Sequence, residues 1–384
     1  MKNCLKVPRL LLPEEGFESW AVIAGDAFAY DRTYWENVEK AVGEKPSAYR
    51  FMIPDALAEE ADENTAEAIR HTMYASLRGD DLSKLRRGGM YVRRKTSHGV
   101  RQGVLLCVDL EEFTCERGTT SLVRSSQETD GARLPFDIAL RRRALLEFPH
   151  AILFYRDKKS KVNGYLKDAD LEKIYDFELM REGGKIKGYF IPDEEARYVA
   201  KLMYSRGEPC FTVAEGEREI VAAKAYWQEL KPALSERERQ IHPARYFLAE
   251  FVNLYDEAVH LFPVHRLISD IEPEAFCDFF LKKVKCKRKG NVLYPACKDY
   301  KDFNACAALV KEFLQKNGGR VRYLEESKQV AEQADDCSAG IVFEEIDKKD
   351  YLAWMNDGAL LPERTFTIGK EKRYHLEGRE ISYD

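Results

Sequence analysis

The stretch FTVAEGEREIVAAKAYWQELK, Phe211 to Lys231, decides how this chain reads. Cys210 to Ala214 is a short apolar run of the kind that forms a buried strand. Gly216 then permits a tight turn. Beyond it Ile220, Ala223, Trp227 and Leu230 recur at helical spacing, so a helix with one inward face is predicted. A strand–glycine–helix junction directs backbone N–H groups outward at the positive end of the helix dipole, which suits a phosphate. Glu215, Glu217, Arg218 and Glu219 crowd this turn. Arg218 can add a charge-assisted contact to a phosphate, and Glu215 or Glu217 can hold magnesium, a hard cation that prefers oxygen ligands. Acidic residues in a first helical turn also favour the dipole with no ligand present.

The 384-residue chain is ample for a sizeable core. Its net charge of −5 argues against a dedicated nucleic-acid binder, which usually carries a basic excess. No apolar stretch is long enough to span a bilayer and no signal peptide is evident, so a cytoplasmic protein without a membrane partner is expected. Nine cysteines without a CxxC pair suit reduced thiols and not a zinc site.

Outward from the turn, strands and helices mix without a regular βαβ repeat. The expected class is α+β, with mixed sheets and packed helices. Gly89 to Phe113 reads as a hairpin turning at Ser97-His98-Gly99. Helices are expected from Thr33, with Glu36 completing a capping box, from Asn64, and from Asp193. His242 to Asp256 and Leu261 to Asp270 read as strands. The texture changes past Asp270, which divides the chain into a main unit over 1–270 and a C-terminal α/β segment over 271–384. There, helices are expected over 274–284, over 303–317 capped by Asp302, and over 349–356. The closing residues, from Arg364, read as a hairpin carrying Lys370, Lys372 and Arg373.

The turn AEGEREIVAA resembles the nucleotide-binding box of the ParB/sulfiredoxin-like superfamily. Gly216, Glu217 and Arg218 match that box, while Glu219 stands where a second arginine is common. More widely, WAVIAGDAFAYDRTYW, GTTSLVRSSQET, ARLPFDIALRRRALLEFPHAILF, HPARYFLAEFVNLYDEAV and LPERTFTIGKEKRYHLE resemble a large bacterial and archaeal family of long-uncharacterised proteins. Some of its members are assigned as ATP-dependent free L-serine kinases.

The resemblance implies a ParB-like core, ATP or another nucleoside triphosphate with Mg, and a small hydroxylated acceptor, free serine first among them. Asp26 and Glu217 are the implied catalytic residues, with Asp26 also readable as a turn-capping aspartate. Glu215, Gly216, Arg218 and Arg124 would hold the nucleotide, Glu215 and Glu217 its metal, and Glu128 and His265 the substrate. His265 is also readable as a core histidine and Arg124 as a surface arginine. Two positions depart from the family. Its Asp-Gly-Asn/His-His turn is Glu215 to Arg218 here, without histidine. Its carboxylate in the Arg-Ala-Thr-Glu-Gly-Thr segment falls on Gln127 unless the alignment slips to Glu128, and glutamine is no general base. Three readings therefore stay open: a phosphotransferase, a non-catalytic nucleotide-sensing module, and a paralogue that keeps only the scaffold.

Overall fold

A computed structural model describes residues 4–24, 28, 31–60, 63–119, 121–129, 131–148, 151–181, 183–204, 211–369 and 374–383. Asp26, Lys370, Lys372 and Arg373 lie outside these residues, as does Cys210.

A ten-stranded mixed sheet organises the chain. Its strands are β1 (Leu5–Lys6), β2 (Gly88–Thr96), β3 (Gly99–Asp109), β4 (Phe113–Thr114), β5 (Val123–Ser125), β6 (Ala151–Tyr155), β7 (Glu172–Glu178), β8 (Lys185–Pro192), β9 (Phe211–Glu215) and β10 (Tyr246–Asn253). Their order is β7-β8-β2-β3-β10-β6-β9-β5-β4, with β1 alongside β3. The first half, down to β10, is antiparallel; β10 then runs parallel to β6, and β9 parallel to β5. The β2–β3 hairpin turns where Ser97-His98-Gly99 predicts. A second, five-stranded sheet contains β11 (His265–Ser269), β12 (Cys286–Lys289), β13 (Val292–Pro295), β14 (Arg320–Leu324) and β15 (Ser338–Ile341), ordered β12-β13-β15-β11-β14. Edge strand β12 carries Lys287, Arg288 and Lys289, charges that protect an edge from further pairing.

Both faces of the large sheet are covered, as its apolar strands demand. On one face Val104, Leu106, Leu153, Phe211, Val213 and Phe251 pack against Ile220, Ala223 and Trp227 of the helix Glu217–Leu230. Trp227 is 1% exposed and its indole N–H donates to Glu111 at 2.5 Å. Truncating it to alanine would cost about 3–5 kcal/mol. The other face buries Leu10 to Leu12, Trp20, Phe51 and Phe148 beneath Met90, Val92 and Leu105. The core of the second sheet, with Ile268, Phe276, Phe303 and Ile341, is continuous with Ile152, Phe154 and Ala214 of the large sheet. The expected boundary at residue 270 falls just after β11, itself a strand of the second sheet. No helix among the described residues is long and apolar enough to cross a membrane.

Helix α1 (Arg32–Val42) starts one residue before Thr33 and is capped by Asp31, whose carboxylate accepts the Tyr34 N–H at 2.9 Å. A carboxylate beside the dipole displaces the weaker threonine cap. The helix Tyr300–Asn317 likewise begins early. Asp299 is its cap and Asp302 completes a capping box from its third position. The C-terminal hairpin does not form among the described residues. Phe366–Thr367 pairs with Phe262–Pro263, Tyr374–His375 with Val22–Ile23, and Arg379–Glu380 with Leu146–Glu147. The tail is stitched across the molecule, and its last stitch is electrostatic. Buried Glu147 accepts from Arg379 at 2.9 Å, from the Leu248 N–H at 2.7 Å, and from Arg141. Arg141 is therefore a buried residue of the fold.

Candidate functional site

Strand β9 ends at Glu215, and Gly216 turns the chain with φ 88°, in the left-handed region that glycine enters at little cost. Helix α2 (Glu217–Leu230) comes next, and no side chain caps its N-terminus. Gly216, Glu217, Arg218 and Glu219 form one wall of a cavity of about 200 Å³. Opposite walls come from Trp35, Phe51, the segment Met52 to Asp55, Asp137, Leu140, Gln127 to Thr129, Glu363, Arg364 and His375.

The feature the sequence did not reveal is the pair Asp55 and Asp137. Arg218 donates to both oxygens of Asp55, at 2.9 Å each, and its Nε lies 2.8 Å from Asp137 Oδ2. Arg133 approaches Asp55 at 3.2 Å and Arg364 at 4.0 Å. Burial alone would lower the pKa of Arg218, but Asp55, Asp137 and Glu219 outweigh it and hold the guanidinium charged. Asp137 responds in the opposite sense. Burial pushes its carboxyl from 3.8 up to about 6, opposed by Arg218 and Arg133 and reinforced by the negative charges of Glu219 and Asp55. The close contact with Arg218 does not reverse this, because that cation is shared and Asp55 already takes its two terminal nitrogens. Asp137 Oδ2 is buried and accepts no hydrogen bond among the described residues.

The other predicted residues divide into two groups. Glu217 and Glu128 face the cavity with Gly216 and Arg218; Glu217 is 9% exposed, and Glu128 reaches Arg117 at 3.2 Å. Glu215 does not line it. Its carboxylate accepts from Thr367 Oγ1 at 2.8 Å and from the Ile368 N–H at 3.1 Å, which fastens β9 to the C-terminal segment. Arg124 is not at the surface but buried in β5, where it donates to the carbonyl of Met355. His265 is buried in β11, its Nδ1 accepting the Phe343 N–H at 3.2 Å, and burial with neighbouring Arg266 pulls its pKa down to about 4. Gln127, onto which the family carboxylate falls unless the alignment slips to Glu128, lines the cavity with its side chain occupied: Oε1 accepts the N–H groups of Thr365 at 2.7 Å and Phe366 at 3.1 Å. A carboxylate would accept there equally well, so the position serves the wall whatever else it does.

Six carboxylates, those of Asp55, Glu128, Asp137, Glu217, Glu219 and Glu363, face two guanidiniums, Arg218 and Arg364, around this cavity. Such a lining repels a bare polyphosphate and accepts one whose charge is neutralised by a divalent cation. Among the described residues no group of three or more His, Cys, Asp and Glu is arranged to hold an ion.

Fold and site define a mixed α/β protein with an acidic cavity at a strand–glycine–helix junction. Residues 9–363 match the family described as "Protein of unknown function (DUF1015)", and the chain belongs to that family. No curated protein matches it in sequence. Among solved structures, the "Conserved hypothetical protein from Pyrococcus furiosus" is similar at 7% identity and TM-score 0.40, over 72% of this chain and 95% of that one. A free serine kinase in complex with AMP is similar at 8% identity and TM-score 0.39, covering 72% and 91%. A mutant of free serine kinase in complex with ADP gives 7%, 0.41, 72% and 92%. Likenesses this distant carry no inference about the chemistry of the site.

Proposed function

We propose that this protein is a nucleotide-dependent phosphotransferase acting on a small hydroxylated metabolite, with free serine the first acceptor to test. The observation that carries the reading is the uncapped start of α2 opening onto a cavity that also holds Asp137, a carboxyl that burial pushes up to about 6. The amides of Glu217 to Glu219 would receive phosphate oxygens at the positive end of the dipole. The ParB-like resemblance of Gly216 to Arg218 supports the same assignment. Magnesium fits the hard oxygen donors of this lining and would arrive with the nucleotide, since it commonly takes one or two carboxylates and completes its shell with phosphate and water. When bound it would neutralise the phosphates; Glu217 and Glu219 are the carboxylates on the turn that would hold it.

Transfer forms a bond between the acceptor hydroxyl oxygen and the terminal phosphorus and breaks the bond to the bridging oxygen, which leaves on the nucleoside diphosphate. The hydroxyl proton needs an acceptor, and Asp137 is the residue assigned: burial raises its carboxyl to about 6, and its Oδ2, beside Arg218 Nε, accepts no hydrogen bond among the described residues. Arg218 is assigned a positioning role, because its terminal nitrogens are committed to Asp55.

One observation favours a second reading, a nucleotide-sensing module without transfer or a scaffold that has lost its ligand. Gln127, onto which the family carboxylate falls unless the alignment slips to Glu128, is tied into the wall. The test is ADP release from ATP and magnesium with and without serine, alongside a thermal shift with each nucleotide. Ligand at a hundred times its dissociation constant stabilises by about 2.7 kcal/mol. Serine-dependent ADP release supports the transferase. A nucleotide shift without turnover over a panel of hydroxylated acceptors selects the sensor, and no shift with any nucleotide rejects transferase and sensor alike and selects the scaffold.

A further inference from the structure

A second cavity, of about 600 Å³, adjoins the first and shares Glu128, Thr129 and Glu363 with it. Its size is that of a small-molecule site. It lies between the helix Tyr300–Asn317 and the face of β11 and β14, and its walls are largely apolar, with Phe303, Val310, Leu314, Ile341 and Phe343 among them. Lys311 and Gln315 are exposed at its edge.

One cation lies in this apolar wall. Arg266 is 8% exposed. Its Nη1 donates to the carbonyls of Val264 at 2.7 Å and His265 at 3.4 Å, and its Nη2 to the carbonyl of Glu363 at 2.9 Å. These are all carbonyls: among the described residues no carboxylate is within ion-pair distance of Arg266. Five N–H groups and three acceptors leave the Nε–H and one Nη2–H without an acceptor. The Glu363 carboxylate is nearby but taken by the Tyr323 hydroxyl. Tyr323 and Phe343 lie under the guanidinium, 4.4 and 5.8 Å from it to their centroids, and hold it flat against the wall. Burial draws the pKa of Arg266 down to about 10, the mark of a cation short of compensation. Thr129, in the shared wall, has a buried hydroxyl with no hydrogen-bond partner among the described residues.

We infer that this cavity binds a small organic monocarboxylate with an apolar body, its carboxylate on Arg266 and its hydrocarbon against the Phe303–Leu314 face of the helix. A buried arginine with two unused N–H groups is stabilised by a carboxylate, which accepts two parallel hydrogen bonds. One buried cation with Glu363 and Glu128 close by suits a single negative charge better than a phosphate dianion. The helix face beyond Arg266 is apolar, with Lys311 and Gln315 exposed at its rim, so the buried remainder of the ligand is hydrocarbon. This inference does not depend on the phosphotransferase reading.

The test is calorimetry on the full chain with 4-phenylbutyrate and octanoate, each against its alcohol, 4-phenylbutanol and octanol, and against inorganic phosphate. The acids are expected to bind at least tenfold more tightly than the alcohols, with phosphate giving no response. Arg266→Gln should abolish the preference for acid over alcohol. Ala307→Phe, which fills the cavity and keeps the arginine, should abolish binding of both, and the thermal melt of each variant reports its fold. Equal binding of acid and alcohol, no binding by either acid at 5 mM, or a phosphate response as strong as the acids' overturns the proposal. So does binding that survives in a folded Ala307→Phe protein. Should Arg266→Gln fail to fold, the acid–alcohol comparison on the natural chain and the Ala307→Phe variant decide the matter.

Discussion

Asp137 makes a prediction in which stability and activity move in opposite directions. In the unfolded chain its carboxyl has its ordinary pKa of 3.8; in the fold, burial raises it to about 6. A raised carboxyl means that the folded state binds the proton more tightly. Its contribution to stability is therefore full below about 3.8 and is lost as pH rises to about 6, with no further change above. The difference between those two values is worth about 3 kcal/mol. That is an upper figure, since the side chain keeps 19% of its surface exposed. Asparagine at this position has nearly the same shape and no charge to bury. Asp137→Asn is thus expected to equal the natural protein in stability near pH 4 and to exceed it at pH 7.5 by up to about 3 kcal/mol.

The assay is thermal unfolding of both proteins in matched buffers from pH 4 to 8, read as the difference in Tm at each pH. The difference should open between pH 4 and 6 and then level. The same substitution removes the proposed proton acceptor, so any phosphotransfer should fall by roughly 10²–10⁴-fold. The reasoning is refuted by a variant that loses stability relative to the natural protein as pH rises. That result would mean that Arg218 and Arg133 overcompensate the burial and that Asp137 is an ordinary ion-pair carboxylate with no catalytic poise.

The remaining predictions concern the frame of the site. Arg218→Ala strips Asp55 of its bidentate partner and should destabilise the protein by about 3 kcal/mol, as breaking a buried pair does, which thermal melting checks; a loss under 1 kcal/mol would mean that Arg133 alone compensates Asp55. Gly216→Ala forces a side chain into φ 88° and should cost about 1–2 kcal/mol in the same measurement; in a nucleotide titration it should weaken the thermal shift. Glu147→Gln leaves Arg141 and Arg379 buried without a charge partner and should cost about 3–5 kcal/mol at pH 7. Arg379 and Arg141 hold the Glu147 carboxyl below the usual carboxylate range against its burial. That stability is present above about pH 4.5 and lost as pH falls below it, so the deficit of the variant should shrink in acid.

What the sequence reveals here is local. The β9–Gly216–α2 junction is legible because an apolar run, a glycine and a 3.6-residue apolar period lie within twenty residues, and each acts through neighbours. The β2–β3 hairpin is legible for the same reason. The partners of the tail are not. Tyr374–His375 and Arg379–Glu380 are strands of two residues each, too short for an alternation pattern, and what they pair with lies hundreds of positions upstream. Their local spacing suggested pairing with one another, and long-range packing overrode it. The caps of α1 and of the helix from Tyr300 shifted by two and three residues, from Thr33 to Asp31 and from Asp302 to Asp299, because a neighbouring aspartate took the cap position. Asp55 and Asp137 escaped for a different reason. Each is an acid near the start of a helix, a common pattern that needs no ligand, and only the fold brings them to the same guanidinium.

The crowding of charge at the turn has a physical account that neither dipole stabilisation nor ligand binding alone supplies. Glu215 points back to fasten Thr367 and Ile368, and Arg218 points across to gather Asp55 and Asp137. Two of the four charged side chains are therefore joints between α2 and distant segments. Used in that way, Arg218 cannot also clamp a phosphate without giving up Asp55, which is 4% exposed and would be left with Arg133 and the more distant Arg364. On the proposed function, any anion affinity of the corner would then come from the backbone amides and from a cation brought in with the ligand, the one arrangement that an excess of carboxylates favours over bare phosphate. The nucleotide thermal shift is accordingly expected to be large with magnesium and absent in EDTA. A shift of the same size without the metal would show that the arginine, and not the metal, meets the phosphate.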